Sequence, residues 1–324
     1  MRPILLTIPR LPSSAFVPLL LLCAVVGAFF TVRSARAPLQ EDETRDIYFP
    51  AMLAAGAAVA LWVWQRQPVV LHSYGLFLVL GFVLAVWLAT KEAIRRGIDP
   101  NVVVDLSLPL LGWSVFACRV LYILLNREQF HSFGQMVAVW DGGLSFHGSL
   151  VAAPLVIWYY ARRAGISPLQ LTDAIAPAVF AGYAIGRIGC LMNGCCYGNM
   201  CSAPWAMVFP VEGNRSQFTP PSHPTQLYST VLATGLFFVM QRVRIAPFFN
   251  RFAGQITILF FALYACERAF IELFRNGATA RTVFGLSWLT QAQLASILAL
   301  VALAAFWSFL ARRDSHVSTA RLRG

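Results

Sequence analysis

The chain has 324 residues, of which 58% are hydrophobic and only 12% charged, about half the roughly 25% charged share of soluble domains. A soluble globule of that composition would precipitate, so that class is excluded. The net charge of +11 alone would suggest nucleic acid, but the basic residues sit in short clusters between apolar blocks, which is the pattern of membrane topology.

In chain order, the first apolar run, Ala15 to Val32, follows Arg2 and Arg10 and precedes Ala35-Arg36-Ala37. It reads as a signal peptide or, given its length, an uncleaved helix. A second run over 51–64 either spans or lies at the interface, and the charged stretch from Arg33 to Asp46 links the two. Residues 1–68 thus form an N-terminal extension, 69–312 the core and 313–324 a cytoplasmic tail. Core spans are predicted at 71–90, 102–124, 146–161, 171–190, 224–241, 254–275 and 288–310. Each is long enough, at about 1.5 Å rise per residue, to cross all or most of a hydrocarbon core of roughly 30 Å. The expected fold is all-α: a polytopic transmembrane helical bundle of seven core spans with one or two N-terminal apolar segments. Alternate connections carry twelve Lys and Arg on one side and four on the other, which predicts a cytoplasmic C-terminus and outward-facing segments 125–145 and 191–223.

Arg119, Arg187 and Arg268 fall within apolar stretches, where a central charge costs about 2.5–3.5 kcal/mol on insertion scales. Their counter-charges at membrane depth are Glu267 and Glu272, and Arg268 and Glu272 share a helix face four positions apart. An internal ion pair or a snorkelling side chain accounts for Arg119 as well as a ligand does. The functional reading is that the guanidiniums hold a phosphate, which in a membrane means a phospholipid head group.

Polar motifs recur at the outer ends of the spans. His72-Ser73-Tyr74-Gly75 opens the first. Trp140 to Gly148 brings paired glycines and His147, whose imidazole can accept a proton, to the mouth of the third. Gly182, Gly186 and Gly189 form a smooth face beside Arg187, followed by Asn193-Gly194 and Gly198. His223-Pro224-Thr225-Gln226-Leu227-Tyr228 opens another span, and Tyr264 to Arg275 closes the next. Together these place polar groups from five spans at one membrane level. Cys190, Cys195, Cys196 and Cys201 cluster here too, open to disulfide bonding, packing or thiol chemistry. No C-x-x-C pair with a partner pair or histidines is present, so no metal site is expected.

These motifs, HSYGL at 72–76, VWDGGLSFHG at 139–148, GRIG at 186–189 with the following Asn193-Gly194 and Gly198, HPTQLY at 223–228, and Tyr264 with Arg268, Glu272 and Arg275, resemble in order and spacing the bacterial prolipoprotein diacylglyceryl transferases. The resemblance covers about residues 69–312. It implies a seven-span enzyme of the bacterial cytoplasmic (inner) membrane, active on the outer side. Such an enzyme moves the sn-1,2-diacylglyceryl group from phosphatidylglycerol to the lipobox cysteine in a prolipoprotein signal peptide, the first step of lipoprotein maturation. The products are a thioether and glycerol 1-phosphate, with no metal or organic cofactor. Residue by residue, the resemblance implies that Arg187 and Arg268 bind the phosphate and that His147 is the base for the thiol. Tyr74, Asn193, Gly198 and Tyr264 line the pocket, and Arg119, His223, Gln226, Glu272 and Arg275 contact substrate. This chain departs from the family pattern at Cys190, where Asn is frequent, and at Cys195 and Ser229, where Glu is frequent. Two rival readings are a non-catalytic lipid- or lipoprotein-binding paralogue and an anionic-lipid transporter. The absence of repeated halves and the clustering of polar groups toward one face count against the transporter.

Overall fold

In the computed structural model, residues 4–8, 69–130, 132–137, 142–211, 214–275, 282–283 and 286–321 are described. The apolar runs 15–32 and 51–64 lie outside them. By its contacts the chain divides into a unit ending at Gly75 and a unit from Leu76 onward.

The first unit pairs strand β1 (Ile4–Ile8) antiparallel with β2 (Val69–His72), in the register Thr7 to Val70 and Ile8 to Val69. The chain then enters α1 (Ser73–Arg95). The second unit continues with α2 (Pro100–Leu125), the short α3 (Phe133–Val137), α4 (His147–Arg163) and α5 (Pro168–Asn193). A hairpin of β3 (Pro210–Val211) and β4 (Asn214–Phe218) leads to α6 (Thr225–Val243) and α7 (Gln255–Glu272). A second hairpin, β5 (Thr282–Val283) and β6 (Leu286–Thr290), precedes α8 (Gln291–Arg321).

Among the described residues, seven long helices overlap the seven core apolar blocks, and α1, α2, α5 and α8 through Asp314 are long and apolar enough to cross a membrane. Of the other three, α4 has only 17 residues, and α6 and α7 carry polar residues at their ends. Large apolar side chains point outward along the bundle, among them Leu108 at 63%, Val231 at 71% and Val301 at 64% exposure. Water would penalise such a surface, whereas lipid accepts it. The fold is an all-α polytopic membrane bundle, and the three two-stranded sheets are short additions that the apolar pattern does not signal.

The helix ends have local causes. Asp99 accepts from the Asn101 N–H at 2.9 Å, and Pro100 takes the first helical position, where no N–H is needed. Thr290 and Gln293 bond reciprocally to each other's backbone N–H at 3.0 and 3.2 Å. This capping box starts α8 three residues after its apolar run begins. At the other end α8 continues past residue 310, because hydropathy marks where a span leaves the lipid and not where a helix stops.

Helix α2 packs most extensively on α4, and α5 on α6. Small residues permit the approach. A Cβ on Gly81 would lie 2.7 Å from the Gly182 carbonyl oxygen where α1 crosses α5, and one on Gly148 would lie 2.3 Å from the Ala117 oxygen where α4 crosses α2. Two apolar clusters result, one built on Ala89, Leu106, Leu171 and Ala174, the other on Phe180, Met240, Ile256 and Phe260.

Buried carboxylates fix the helices at the ends opposite the motifs. Glu92 of α1 receives Arg95 at 2.5 and 2.8 Å, Arg96 at 2.7 Å, and Arg244 from the end of α6. Asp173 of α5 accepts from the N–H of Gly254 at 2.7 Å and Thr257 at 2.8 Å, and from the Thr257 hydroxyl at 2.6 Å. It is the N-terminal cap of α7, supplied by a neighbouring helix and favoured by the α7 dipole. Asp173→Ala should therefore cost about 3 kcal/mol by stranding two buried N–H groups, and Asp173→Asn less. Thermal unfolding in detergent checks the order wild type, Asn, Ala.

Candidate active site

The site begins with Arg187, nearly two turns from the end of α5. Its Nε and Nη2 donate to the Tyr183 hydroxyl at 2.9 and 2.8 Å, and its guanidinium carbon lies 4.9 Å from the centre of that ring. The Tyr183 hydroxyl donates in turn to Glu267 of α7, 3.3 and 3.4 Å from its two oxygens. The spacing of four on one helix puts Tyr183 under Arg187, and the buried carboxylate across the helix interface completes the chain. Nη1 of Arg187 makes no hydrogen bond among the described residues.

Arg268 stands on α7 next to Glu267 and donates from Nη1 to Glu272 at 2.5 Å, the same-face ion pair that the spacing predicts. Its Nε and Nη2 make no hydrogen bond among the described residues. Both Arg187 and Arg268 act electrostatically on Glu267, which is 4% exposed, so the two cations share one site. Tyr264, one turn earlier on α7, sets its ring edge-on to Tyr183 at 5.8 Å and stacks on Phe260 at 6.4 Å. Arg187 is thus oriented by a tyrosine hydroxyl and Arg268 by a carboxylate, while part of each donor fork is left over. That arrangement suits an anionic ligand.

The loop after α5 forms one wall. Gly194 stops α5 in the left-handed conformation at φ 76°. The Cys195 and Cys196 carbonyls then accept from Gln226 Nε2 at 2.6 Å and Thr225 Oγ1 at 2.7 Å. The Gly198 N–H donates to the His223 carbonyl at 2.9 Å, and the Asn199 N–H to that of Phe274 at 2.8 Å. His223 Nδ1 lies 3.0 Å from the Tyr228 hydroxyl, which also accepts from Trp205 at 2.7 Å, and both rings pack on Phe274. The start of α6 therefore grips the loop and the end of α7 together. The Gln226 amide nitrogen bonds the loop backbone, while its Oε1, like Oε1 of Glu272, is buried and accepts no hydrogen bond among the described residues.

Cys190, Cys195 and Cys196 converge here with their sulfurs within 4.8 Å of one another, and all six described cysteines are free thiols. No disulfide joins Cys195, Cys196 and Cys201. The Cys196 thiol is held below its ordinary range, first by hydrogen bonding from Cys190 and then from Cys195, with the guanidiniums of Arg275 and Arg187 adding to the effect against burial. Arg275 thus stands near the same wall, and Asn193 interacts with Cys195.

Arg119 is placed differently from a ligand-facing residue. Its Nε donates to Met136 O at 2.9 Å, Nη1 to Gly142 O at 2.5 Å and Gly143 O at 2.9 Å, and Nη2 to Gln135 O at 2.6 Å. The buried guanidinium clamps the connection between α3 and α4. Gly143 answers to the same packing: its φ is 74°, and a Cβ would lie 2.6 Å from the Tyr122 ring. His147 follows at the exposed N-terminus of α4, and among the described residues no hydrogen bond or ring contact joins it to the arginines. Tyr74, 37% exposed, belongs to the unit that ends at Gly75. Tyr183 is the residue that sequence reasoning missed. Its distance of four from Arg187 was a signal, but its bond to Glu267 arises from helix packing.

An apolar helical bundle holding two oriented arginines in a shared acidic and aromatic setting defines a membrane protein with a polar site suited to an anion. A family model described as prolipoprotein diacylglyceryl transferase matches residues 59–309, and the chain belongs to that family. It is therefore a membrane transferase of lipoprotein biosynthesis. Among its relatives, the phosphatidylglycerol–prolipoprotein diacylglyceryl transferase of Chromohalobacter salexigens is 35% identical over 266 residues, covering 79% of this chain and 93% of its own. The enzymes of that name from Escherichia coli and Shigella boydii are each 32% identical over 286 residues, covering 79% of this chain and 95% of theirs.

Proposed function

We propose that this chain transfers the sn-1,2-diacylglyceryl group of phosphatidylglycerol to the lipobox cysteine of prolipoproteins, at the outer side of the bacterial cytoplasmic membrane. The observation that carries the reading is the pair Arg187 on α5 and Arg268 on α7, both near enough to Glu267 to act on it electrostatically and both with donors left over from their orienting partners. A head-group phosphate held there has its leaving charge stabilised as it develops. The thiolate sulfur attacks the glyceryl carbon that bears the phosphate, a C–S bond forms, and the C–O bond breaks. Its electron pair departs with glycerol 1-phosphate, and the thiol proton passes to a base, for which His147 is the candidate. Asn193, Gly198 and Tyr264 line the pocket, and Arg275 adds positive charge beside the loop. Gln226 and Glu272 offer buried acceptor oxygens to the hydroxyls of the head group. His223 shapes the wall, and Arg119 holds the loop that delivers His147.

The orientation rests on charge. The Arg-rich ends of α1 and α6 meet at Glu92, and the uneven Lys and Arg split assigns that level, with the C-terminus, to the cytoplasm. Seven spans then put the motif-bearing ends outside.

The test is transfer of labelled diacylglycerol from phosphatidylglycerol to a lipobox peptide by the purified full-length protein. Thioether-linked label with release of glycerol 1-phosphate is expected. Tight lipid binding without transfer would sink the proposal in favour of a binding-only paralogue.

A further inference from the structure

We propose that Cys190, Cys195 and Cys196 form a three-thiolate site for a thiophilic d10 cation of the zinc(II) or copper(I) kind. The inference is independent of the transferase reading, because its test reads metal–sulfur bonding and not turnover.

Spacing alone hides the site. The three cysteines lack a C-x-x-C pair, yet Cys190 lies in the last turn of α5 and the chain reverses at Gly194, so the next two sulfurs return to the first. All three pairs of sulfurs fall within 4.8 Å. Three thiolates around one cation at about 2.3 Å sit about 4 Å apart, so closure requires each sulfur to move inward by only about 0.5 Å.

The scaffold is built to keep them there. Buried Thr225 and Gln226 fix the carbonyls of Cys196 and Cys195 from α6, and the Cys195 sulfur lies 3.7 Å from the Cys190 carbonyl oxygen. Cys196 holds φ at 66°, the one non-glycine with positive φ among the described residues. A cysteine is poorly suited to that conformation, and such strain collects at ligand clamps. Cys118 and Cys266 lie on other helices, and Cys201 is outside the converging trio.

Charge and softness agree with a metal. Thiolates select d10 cations such as copper(I) and zinc(II) over oxygen-loving ones. Three thiolates with either ion leave a net anionic complex, and the guanidiniums of Arg187 and Arg275 stand close enough to act on the Cys196 sulfur. The partial exposure of all three cysteines leaves a route for the ion to enter.

The experiment titrates full-length protein, reduced and desalted in detergent, with cadmium(II) and separately with copper(I) against a chromogenic chelator. Thiolate-to-cadmium charge-transfer absorption, or copper(I) withdrawn from the chelator, should saturate at one ion per chain. Cys190→Ser, Cys195→Ser and Cys196→Ser should each weaken binding by more than the roughly 10- to 100-fold typical of outer partners, while Cys201→Ser and Cys266→Ser bind like wild type. Melting curves and the matching Cys→Ala variants separate loss of a ligand from loss of fold. Saturation by cadmium(II) alone identifies a zinc-like site, and by copper(I) alone a copper site. The proposal is overturned if neither ion binds stoichiometrically, if the folded serine variants at 190, 195 and 196 bind like wild type, or if Cys201→Ser weakens binding equally.

Discussion

Arg187→Ala should lower kcat/KM for diacylglyceryl transfer by roughly 100- to 1000-fold while the protein still folds, the range expected when one donor to a developing anion is removed. Folding should survive because the hydrogen bonds of Arg187 go to Tyr183 on its own helix, and Tyr183 and Arg268 remain to compensate Glu267. Arg187→Lys should recover little, because an ammonium cannot satisfy Tyr183 with two donors and still reach a phosphate. Tyr183→Phe should fall between, at about tenfold, since it leaves the guanidinium in place but removes the hydroxyl that orients it and ties it to Glu267. Transfer of labelled lipid by folded, detergent-purified variants gives the ranking. If Arg187→Ala turns over within about threefold of wild type, the phosphate does not sit at this arginine.

The sequence marked the helices because a hydrocarbon environment allows few alternatives: every backbone polar group must be satisfied within its own segment. The Arg268–Glu272 pair was legible too, since helical periodicity alone puts those side chains together. Arg119 was not. Its apolar surroundings signalled a cost needing compensation, but the compensation is four backbone carbonyls, two of α3 and two of the loop after it, which carry no side-chain signature. The same holds for Gln226, a polar residue at a helix mouth whose amide nitrogen serves the backbone of another segment. The hairpins β3–β4 and β5–β6 escaped because strands of two to five residues have too few positions for an alternating pattern to register. The convergence of Cys190 with Cys195 and Cys196 depends on the turn at Gly194, which spacing rules for metal ligands do not consider.

Gly198 is a position where one added methyl group should harm the fold and the site together. A Cβ there would lie 2.0 Å from the Phe274 carbonyl oxygen, 2.8 Å from Thr225 Cγ2 and 2.9 Å from His223 Cβ. Relief by a small shift is blocked, because the same backbone is stitched on both sides. Gly198 N–H donates to His223 O at 2.9 Å, His223 N–H to Asn199 O at 2.9 Å, and Asn199 N–H to Phe274 O at 2.8 Å. Displacing Phe274 would move the end of α7 and Arg275 with it, so activity should fall with stability. Gly198→Ala should cost about 3 kcal/mol, the upper end of overpacking penalties, and lower the melting temperature accordingly. Gly112→Ala and Gly235→Ala, where nothing lies within 4 Å of the added carbon, supply the control. Both lie inside helices and should be neutral or gain up to about 1 kcal/mol from reduced chain entropy. Were Gly198→Ala to melt with wild type, the α6–α7 end would be looser than these three backbone bonds imply, and the wall they hold would not be fixed in the way the site requires.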